Sequence, residues 1–408
     1  MKVWLKLLIA VIIGILLGIF IPLSDTSKLI FDFLSKLSIQ IGRYTIFPLV
    51  FFSIVMGTYE LRHERKLFAV YSKIVIYLVL SAVLLVLVGI GTAIIFSPER
   101  VPIIIETQTS LNKLSAQQVF FHIFPKNAFK VFLESGSFLL PLYILAFFIG
   151  INLDFNRQIT RPAIQVFDSL SRVFYHGNSL IVEFFALGII AIVTSRIFYV
   201  RLYNLEIFKQ LLIIIAFDLV IMIFGIFPLI LYFLGGKINP YKWLYATTAS
   251  AITAVVTGDE YVSLGMLAKH GKENLGLKRR LSSSVYTLFA VFGRAGTALV
   301  VSVSFILILR SYSSLELTFM QILWVAGFSI ITSFALISVP GMGVYVALSM
   351  MSAYYGKGLE EGFLILKPVM PLLVSAGVLL DVVTASLASY LIGRKEGLVD
   401  EVDIENFI

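Results

Sequence analysis

Long apolar runs follow one another along this chain with only short polar breaks between them. A helix that crosses a bilayer needs about 20 apolar residues. Runs of that length fall at roughly 3–23, 29–60, 70–97, 119–153, 164–195 and 206–235, with two more at 277–310 and 363–394. Residues 238–270 and 317–356 read differently, each holding two apolar arms around a break. The first break is Thr257-Gly258-Asp259-Glu260-Tyr261 and the second is Ser338-Val339-Pro340-Gly341-Met342-Gly343. Each arm is too short to span comfortably. The pattern predicts helices that enter, turn at a broken tip and return on the same side. Irregular backbone at membrane depth persists only where protein or a water-filled cavity satisfies its polar groups. Paired broken segments in corresponding parts of a repeat point to the binding site of a carrier. One such segment alone would read as a kink at Pro340. Two, each followed by a long helix, read as a repeat.

Composition sharpens this picture. Of 408 residues, 59% are hydrophobic and 14% charged, and the mean hydropathy is +0.96. A soluble domain is roughly 45–50% apolar and about 25% charged. The reading is an all-α membrane protein of eight transmembrane helices plus two re-entrant helical hairpins. There are no cysteines, which removes disulfide and thiolate chemistry. His63, His122, His176 and His270 are scattered and suggest no metal site. The opening Met1-Lys2-Val3 and the apolar run to Pro22 lack a small-x-small cleavage site, so an uncleaved first helix is expected.

The net charge of +8 is read as topology rather than nucleic-acid binding. Basic residues cluster at Arg62-His63-Glu64-Arg65-Lys66, at Arg157 and Arg161, at Lys269, Lys272, Lys278, Arg279 and Arg280, and at Arg394-Lys395. Alternate loops such as 98–118 are nearly balanced. The positive-inside rule then puts both termini in the cytoplasm of a multi-pass cell-membrane protein. The first hairpin opens from the cytoplasmic side and the second from outside, making an inverted repeat.

Several stretches, in order, resemble the glutamate and neutral amino acid transporters, also called dicarboxylate/amino acid:cation symporters. Ile46-Phe47-Pro48-Leu49-Val50-Phe51-Phe52-Ser53 resembles that family's second helix, and His122-Ile123-Phe124-Pro125-Lys126-Asn127-Ala128-Phe129 the start of its fourth. Gly296-Thr297-Ala298-Leu299 resembles the end of its Asn-Met-Asp-Gly-Thr motif, and Val339-Pro340-Gly341-Met342-Gly343 its second hairpin tip. The resemblance covers nearly the whole chain. It implies a homotrimer and an elevator mechanism. Residues 1–70 and 119–235 would then be mainly scaffold and trimerisation helices, with 70–97 and part of the fifth helix in the transport domain. Residues 236–395 would form the core transport domain, and 396–408 a cytoplasmic tail.

The chemistry departs from that pattern. The family's serine-rich first tip is Gly258, Asp259, Glu260 and Tyr261 here, while Ser282-Ser283-Ser284 falls later, near the start of the seventh helix. The Asn, Met and Asp before Gly-Thr become Gly293, Arg294 and Ala295. The Asn-Val-Thr-Gly-Asp of the eighth helix becomes Val382-Val383-Thr384-Ala385-Ser386, and the substrate-binding Asp and Arg fall at about Ser375 and Val378. Sodium needs hard oxygen ligands, and those carboxylates and amides are gone. The expected function is transport of a small organic solute of the amino acid or dicarboxylate class, other than simply aspartate or glutamate. No cofactor and no sodium coupling of the family kind are expected. A proton, or uncoupled exchange, remains.

Arg294 is the strongest site candidate, because an ionisable residue inside a span is functional by default. The plain alternative is a snorkelling arginine at a helix end. Asp259 and Glu260 are either solvated tip residues or partners of Arg294. Asp381 lies deep in the last helix and needs a partner. Thr297 and Ser386 complete the substrate set, and Pro340, Gly341, Met342 and Gly343 form the gate. Arg43 and Asp218 are also mid-span and read as packing or interhelical pairing. No catalytic residue is assigned. An intramembrane metalloenzyme would want His-Glu-x-x-His, and an ATP-driven pump would want Gly-x-x-x-x-Gly-Lys-Ser/Thr; neither is present. A channel or receptor on the same fold is the rival.

Overall fold

The computed structural model describes residues 2–102, 127–133, 139–203, 205–236, 239–313, 317–336, 341–356 and 358–408, without the side chain of Arg157. Regular structure among the described residues is helical, apart from one antiparallel bridge between Leu277 and Val399. The helices are α1 Val3–Phe20, α2 Asp25–Arg43, α3 Ile46–His63, α4 Leu67–Phe96 and α5 Leu139–Asn152, then α6 Arg157–Leu202 and α7 Glu206–Leu234. There follow α8 Pro240–Thr257, α9 Glu260–Glu273, α10 Arg279–Phe292, α11 Ala295–Tyr312, α12 Phe319–Ala335, α13 Gly343–Tyr355 and α14 Met370–Glu396.

Both interrupted segments are pairs of helices packed on one another, α8 with α9 and α12 with α13. At the first tip, Gly258 ends α8 with φ +59°, a left-handed conformation that costs glycine least. Asp259 then caps α9 by accepting from the backbone N–H groups of Tyr261 and Val262, both at 3.0 Å. A C-cap glycine followed at once by an N-cap aspartate reverses the chain in two residues.

Among the described residues, seven helical stretches are long and apolar enough to cross a membrane. They differ in how much protein covers them. The most apolar window of Val3–Phe20 is 28% buried, whereas that of Arg279–Tyr312 is 94% buried. Outer helices present Ile12, Ile19, Leu80, Leu87, Phe184 and Leu187 outward. A contiguous apolar exterior of this extent suits hydrocarbon rather than water. The protein is therefore built as a centre of α11 and α14 wrapped by other helices, with α4 against α11, α8 against α14 and α10 against α3. A smaller second core joins α1 and α6 to α8 and α9, through residues such as Leu7, Ile189, Val256 and Val262.

The closest approach at the centre is made by glycines. A Cβ on Gly296 would lie 2.7 Å from the Gly377 carbonyl oxygen, and one on Gly377 would lie 3.1 Å from Thr297 Cα. Small residues let two helix backbones meet where apolar attraction alone cannot draw them together in lipid.

The structure modifies several sequence expectations. The second apolar run is two helices, because the chain breaks at Tyr44 and Thr45 beside Arg43. The seventh run is likewise divided, between Phe292 and Ala295. The fifth helix runs past 164–195 at both ends, to 46 residues. Polar residues such as Gln158, Thr160, Ser195 and Arg201 at those ends hid its length from the apolar pattern. Of the fourth run, 119–126 and 134–138 lie outside the described residues; Lys130–Leu133 is one helical turn and α5 covers 14 residues. The 396–408 tail folds back on the first helix pair. Asp400 N–H donates to the Gly276 carbonyl at 2.9 Å, Ile408 N–H to Asn274 Oδ1 at 3.0 Å, and Phe407 stacks on Tyr245 at 5.7 Å.

Candidate functional site: a buried charge cluster

The break between α10 and α11 needs no proline. Gly293 and Arg294 leave helical geometry, with ψ of +52° and +37°. The first N–H groups of α11 then lack acceptors in their own helix. Asp381, from the middle of α14, supplies them. Its Oδ1 accepts from Gly296 N–H at 2.6 Å and Thr297 N–H at 3.2 Å, and its Oδ2 accepts from Thr297 Oγ1 at 2.7 Å. The helix cap is thus delivered by a residue 84 positions away in sequence. Three donors onto one carboxylate fit its ionised form.

Arg294 is 1% exposed. That removes the snorkelling alternative. Its Nη1 is paired with Glu260 Oε1, and the other carboxylate oxygen, Glu260 Oε2, accepts from Gly341 N–H at 3.1 Å. Glu260 therefore joins the first tip, the α10–α11 break and the second tip. Gly341 has φ +73°, and a Cβ there would lie 3.4 Å from both Asp259 Oδ2 and the Gly258 carbonyl oxygen. Among the described residues, all three guanidinium nitrogens of Arg294 are buried without a hydrogen-bond acceptor, and Nε and Nη2 lack the ion pair that Nη1 makes. Buried donors in folded proteins are nearly always satisfied, so two idle nitrogens on one buried guanidinium call for an explanation.

Asp259 pairs with a different arginine, Arg43 at the end of α2. A third, Arg196 of α6, holds the same tip from another side. Its Nη2 donates to the Thr257 carbonyl oxygen at 2.8 Å, and its Nη1 to the Pro371 carbonyl at 3.2 Å and to Ser375 Oγ. Any side chain at Gly258 would collide with that guanidinium, since a Cβ would lie 2.8 Å from Nη2.

The cluster thus sets Arg43, Arg196 and Arg294 against Asp259, Glu260 and Asp381. The acids sit where the N-termini of α9, α11 and α13 converge, and those helix ends carry partial positive charge. In a carrier with broken helices, half-helix N-termini point at anionic groups of the solute. Here three of the protein's own carboxylates stand at those positions.

Of the residues singled out from sequence, Arg294, Asp259, Glu260, Thr297 and Asp381 come together. Gly341 adjoins them, Met342 is exposed at the surface and Gly343 opens α13 near Thr297. Pro340 lies outside the described residues. Ser386 lies apart, bonded to Trp243 Nε1 at 3.1 Å and Thr247 Oγ1 at 2.9 Å, where it ties α8 to α14. Arg196 escaped sequence reasoning. Its one signal was a basic residue just past the end of an apolar run, which reads as an ordinary helix end. Among the described residues no group of three or more His, Asp or Glu side chains could hold a metal ion.

One small space adjoins the cluster and shares two lining residues with a larger cavity. A void of about 10 Å³ touches Glu260, Asp381, Leu264 and Tyr286. Leu264 and Tyr286 also line a larger cavity of about 330 Å³ between α3, α6, α9 and α10, whose rim carries Arg172, Lys272 and Arg279.

The sequence matches the sodium:dicarboxylate symporter family over residues 3–395. It is 21% identical to a proton/sodium-glutamate symport protein of Geobacillus stearothermophilus, over 99% of this chain and 96% of the relative. It is 23% identical to a C4-dicarboxylate transport protein of Cupriavidus pinatubonensis, over 83% of this chain and 79% of that one. A third relative, an excitatory amino acid transporter of Caenorhabditis elegans, is 26% identical over 54% of this chain and 44% of its own length. The names are those of membrane transporters and not of enzymes. With its helical architecture, apolar exterior and near-complete match, the chain belongs to the sodium:dicarboxylate symporter family.

Proposed function

We propose that this protein is a secondary transporter of a small organic solute bearing a carboxylate, of the amino acid or dicarboxylate class, and that it works without sodium. The observation that carries this reading is Arg294: fully buried, paired on one side and with Nε and Nη2 idle on the other. A guanidinium so placed does two jobs. It supplies fixed positive charge where the family resemblance expects sodium, and Nε with Nη2 form a fork suited to a solute carboxylate. Glu260 and Asp381 balance the charge when no solute is present. A fixed guanidinium cannot leave as sodium does, so coupling falls to a proton or is absent, as in an exchanger.

The carrier would move by an elevator mechanism within a homotrimer, both termini cytoplasmic, with α8 to α14 forming most of the moving body. The second helix pair, around Gly341, would be the outer gate. Two contacts support a defined resting position. Arg43 from α2 and Arg196 from α6 both grip the first tip, and both grips must break if α8 and α9 slide past those helices. Cross-linking or mass measurement in detergent that found only monomers would argue against the trimer.

The deciding experiment begins with a thermal-shift screen of aspartate, glutamate, succinate and neutral amino acids on the purified protein. Uptake of the best ligand into proteoliposomes follows, with sodium replaced by choline. Uptake that persists in choline and saturates supports the reading, and so does its loss in the double variant Arg294→Met with Glu260→Leu at unchanged unfolding temperature. Uptake that collapses without sodium would sink it. Non-saturating flux with no exchange would turn the protein into a channel.

A further inference from the structure

A second buried acid lies away from the cluster. Asp218 is 0% exposed, in the middle of α7, a stretch with mean hydropathy 2.8. Among the described residues it makes no ion pair, its one hydrogen-bond contact is Thr92 Oγ1 of α4, 3.1 Å from Oδ2, and its buried Oδ1 has no partner. The charged residues on the helices packed against α7 are Lys73 on α4, Arg310 on α11, Lys242 on α8, and Asp381, Arg394, Lys395 and Glu396 on α14. None of them bonds to Asp218. The contrast with Asp381, which takes three donors and faces a guanidinium, is complete.

Counting protons decides the state of this group. Thr92 Oγ1 lies 3.0 Å from the Gly89 carbonyl oxygen as well as 3.1 Å from Asp218 Oδ2. A hydroxyl has one proton and can donate once. The Gly89 carbonyl has no proton and can only accept. If Thr92 donates to Gly89, its lone pair faces Asp218 Oδ2, and two oxygens at 3.1 Å need a proton from the carboxyl side. If Thr92 donates to Asp218 instead, an ionised carboxylate would be held in an apolar interior by one neutral hydroxyl. That costs several kcal/mol or more, and an isolated buried carboxylate takes up a proton rather than bear it. Protonated Asp218, donating to Thr92, which donates to Gly89, satisfies every hydrogen in the chain.

The backbone around the acid is also irregular. Three positions after Asp218 the helix enters a π-helical turn, Ile221–Ile226, and the N–H of Ile221 is shared between the carbonyls of Phe217 and Asp218. Single π turns within α-helices recur at functional sites.

We propose that Asp218 is a proton-binding site, occupied in this conformation, and that pH acts on transport through this acid rather than through the Arg294 cluster. The second clause rests on the transporter reading; the first does not. The test is infrared absorption of the purified protein in liposomes at neutral pH, wild type against Asp218→Asn. The expected result is a carbonyl band of a protonated carboxylic acid in the wild type that Asp218→Asn lacks. Equal spectra would overturn the proposal. Thr92→Val is the second variant and needs no working Asp218→Asn: it should retain the band at a shifted frequency, because the acid loses its acceptor. An unmoved band, or no band, would overturn the relay. Thermal stability that rises with sodium in the wild type but not in Asp218→Asn would reassign the site to a cation. Proteoliposome uptake as a function of pH then tests the second clause, which predicts a flat profile in Asp218→Asn; a profile unchanged from wild type would refute that clause while leaving the infrared result intact.

Discussion

Asp259 and Glu260 are adjacent in sequence and almost equally buried, at 2% and 4% exposure, yet they answer to arginines of different kinds. Glu260 pairs with Arg294, whose side chain is 1% exposed and which lies at the core of the same helical body. Asp259 pairs with Arg43, whose side chain is 32% exposed and which comes from α2, more than 200 residues earlier. Coulomb attraction is of the same kind in both. What differs is the alternative open to each cation. Arg43 can exchange its carboxylate for water, so its pair can open and close at modest cost. Arg294 has no water to turn to, so its pair is a fixture of the core.

Breaking the inner pair should have the largest effect. Arg294→Ala leaves Glu260 buried without its cation and should cost about 3–5 kcal/mol of stability, read as a large drop in unfolding temperature in detergent. Replacing both partners by apolar residues, Arg294→Met with Glu260→Leu, should restore most of that stability while abolishing uptake. If Arg294→Ala unfolds like the wild type, the pair is not sealed from water and the contrast with Arg43 fails.

A step smaller is Gly341→Val. A left-handed φ costs a residue with a Cβ about 1–2 kcal/mol, and the new methyls would press on Gly258 and Asp259. Membrane insertion should be normal and uptake impaired. Normal uptake would remove the gate assignment.

Asp259→Ala should cost about 0.5–2 kcal/mol, because it removes the cap of α9 along with the outer pair. Asp259→Asn keeps an acceptor for Tyr261 and Val262 N–H and removes only the charge.

The smallest effects should come from Asp259→Asn and Arg43→Gln, because residue 259 keeps the N–H groups of Tyr261 and Val262 in both variants and the Arg43 side chain, 32% exposed, can turn to water. Their readout is transport rather than stability. If the outer pair holds the first tip against α2, its loss should change uptake rate while unfolding temperature stays put. An Arg43→Gln variant as unstable as Arg294→Ala would erase the distinction between the two arginines.

The first tip shows how far local sequence reaches. Gly258-Asp259 carries its own geometry, since a left-handed glycine and an aspartate cap act on backbone within three residues. The helix pair 240–273 was therefore legible as two arms around a break. At Gly293-Arg294 only the glycines at 293 and 296 hint at a break, and the apolar run 277–310 passes straight through it. The division of the second run at Tyr44 and Thr45 was not legible, because no glycine or proline stands at those two positions. There, Gly42 packs against Phe185 and Val262 from α6 and α9, contacts with no trace in the local pattern.

The amino-acid sequence by itself determined that this is a helical membrane protein, that the chain breaks at Gly258-Asp259, and that an arginine stands where the family resemblance expects a sodium site. Those follow from hydropathy over about 20 residues and from backbone preferences over three or four. Only the tertiary structure decided which acid meets which arginine. Asp381, named from sequence as an acid in want of a partner, caps α11 rather than pairing directly with Arg294, and Glu260 does the pairing. It also brought Arg43 and Arg196 to one tip and left Asp218 with a lone threonine. Each of these links residues tens to hundreds of positions apart. Such distances are set by how helices stack, which no local window of sequence contains.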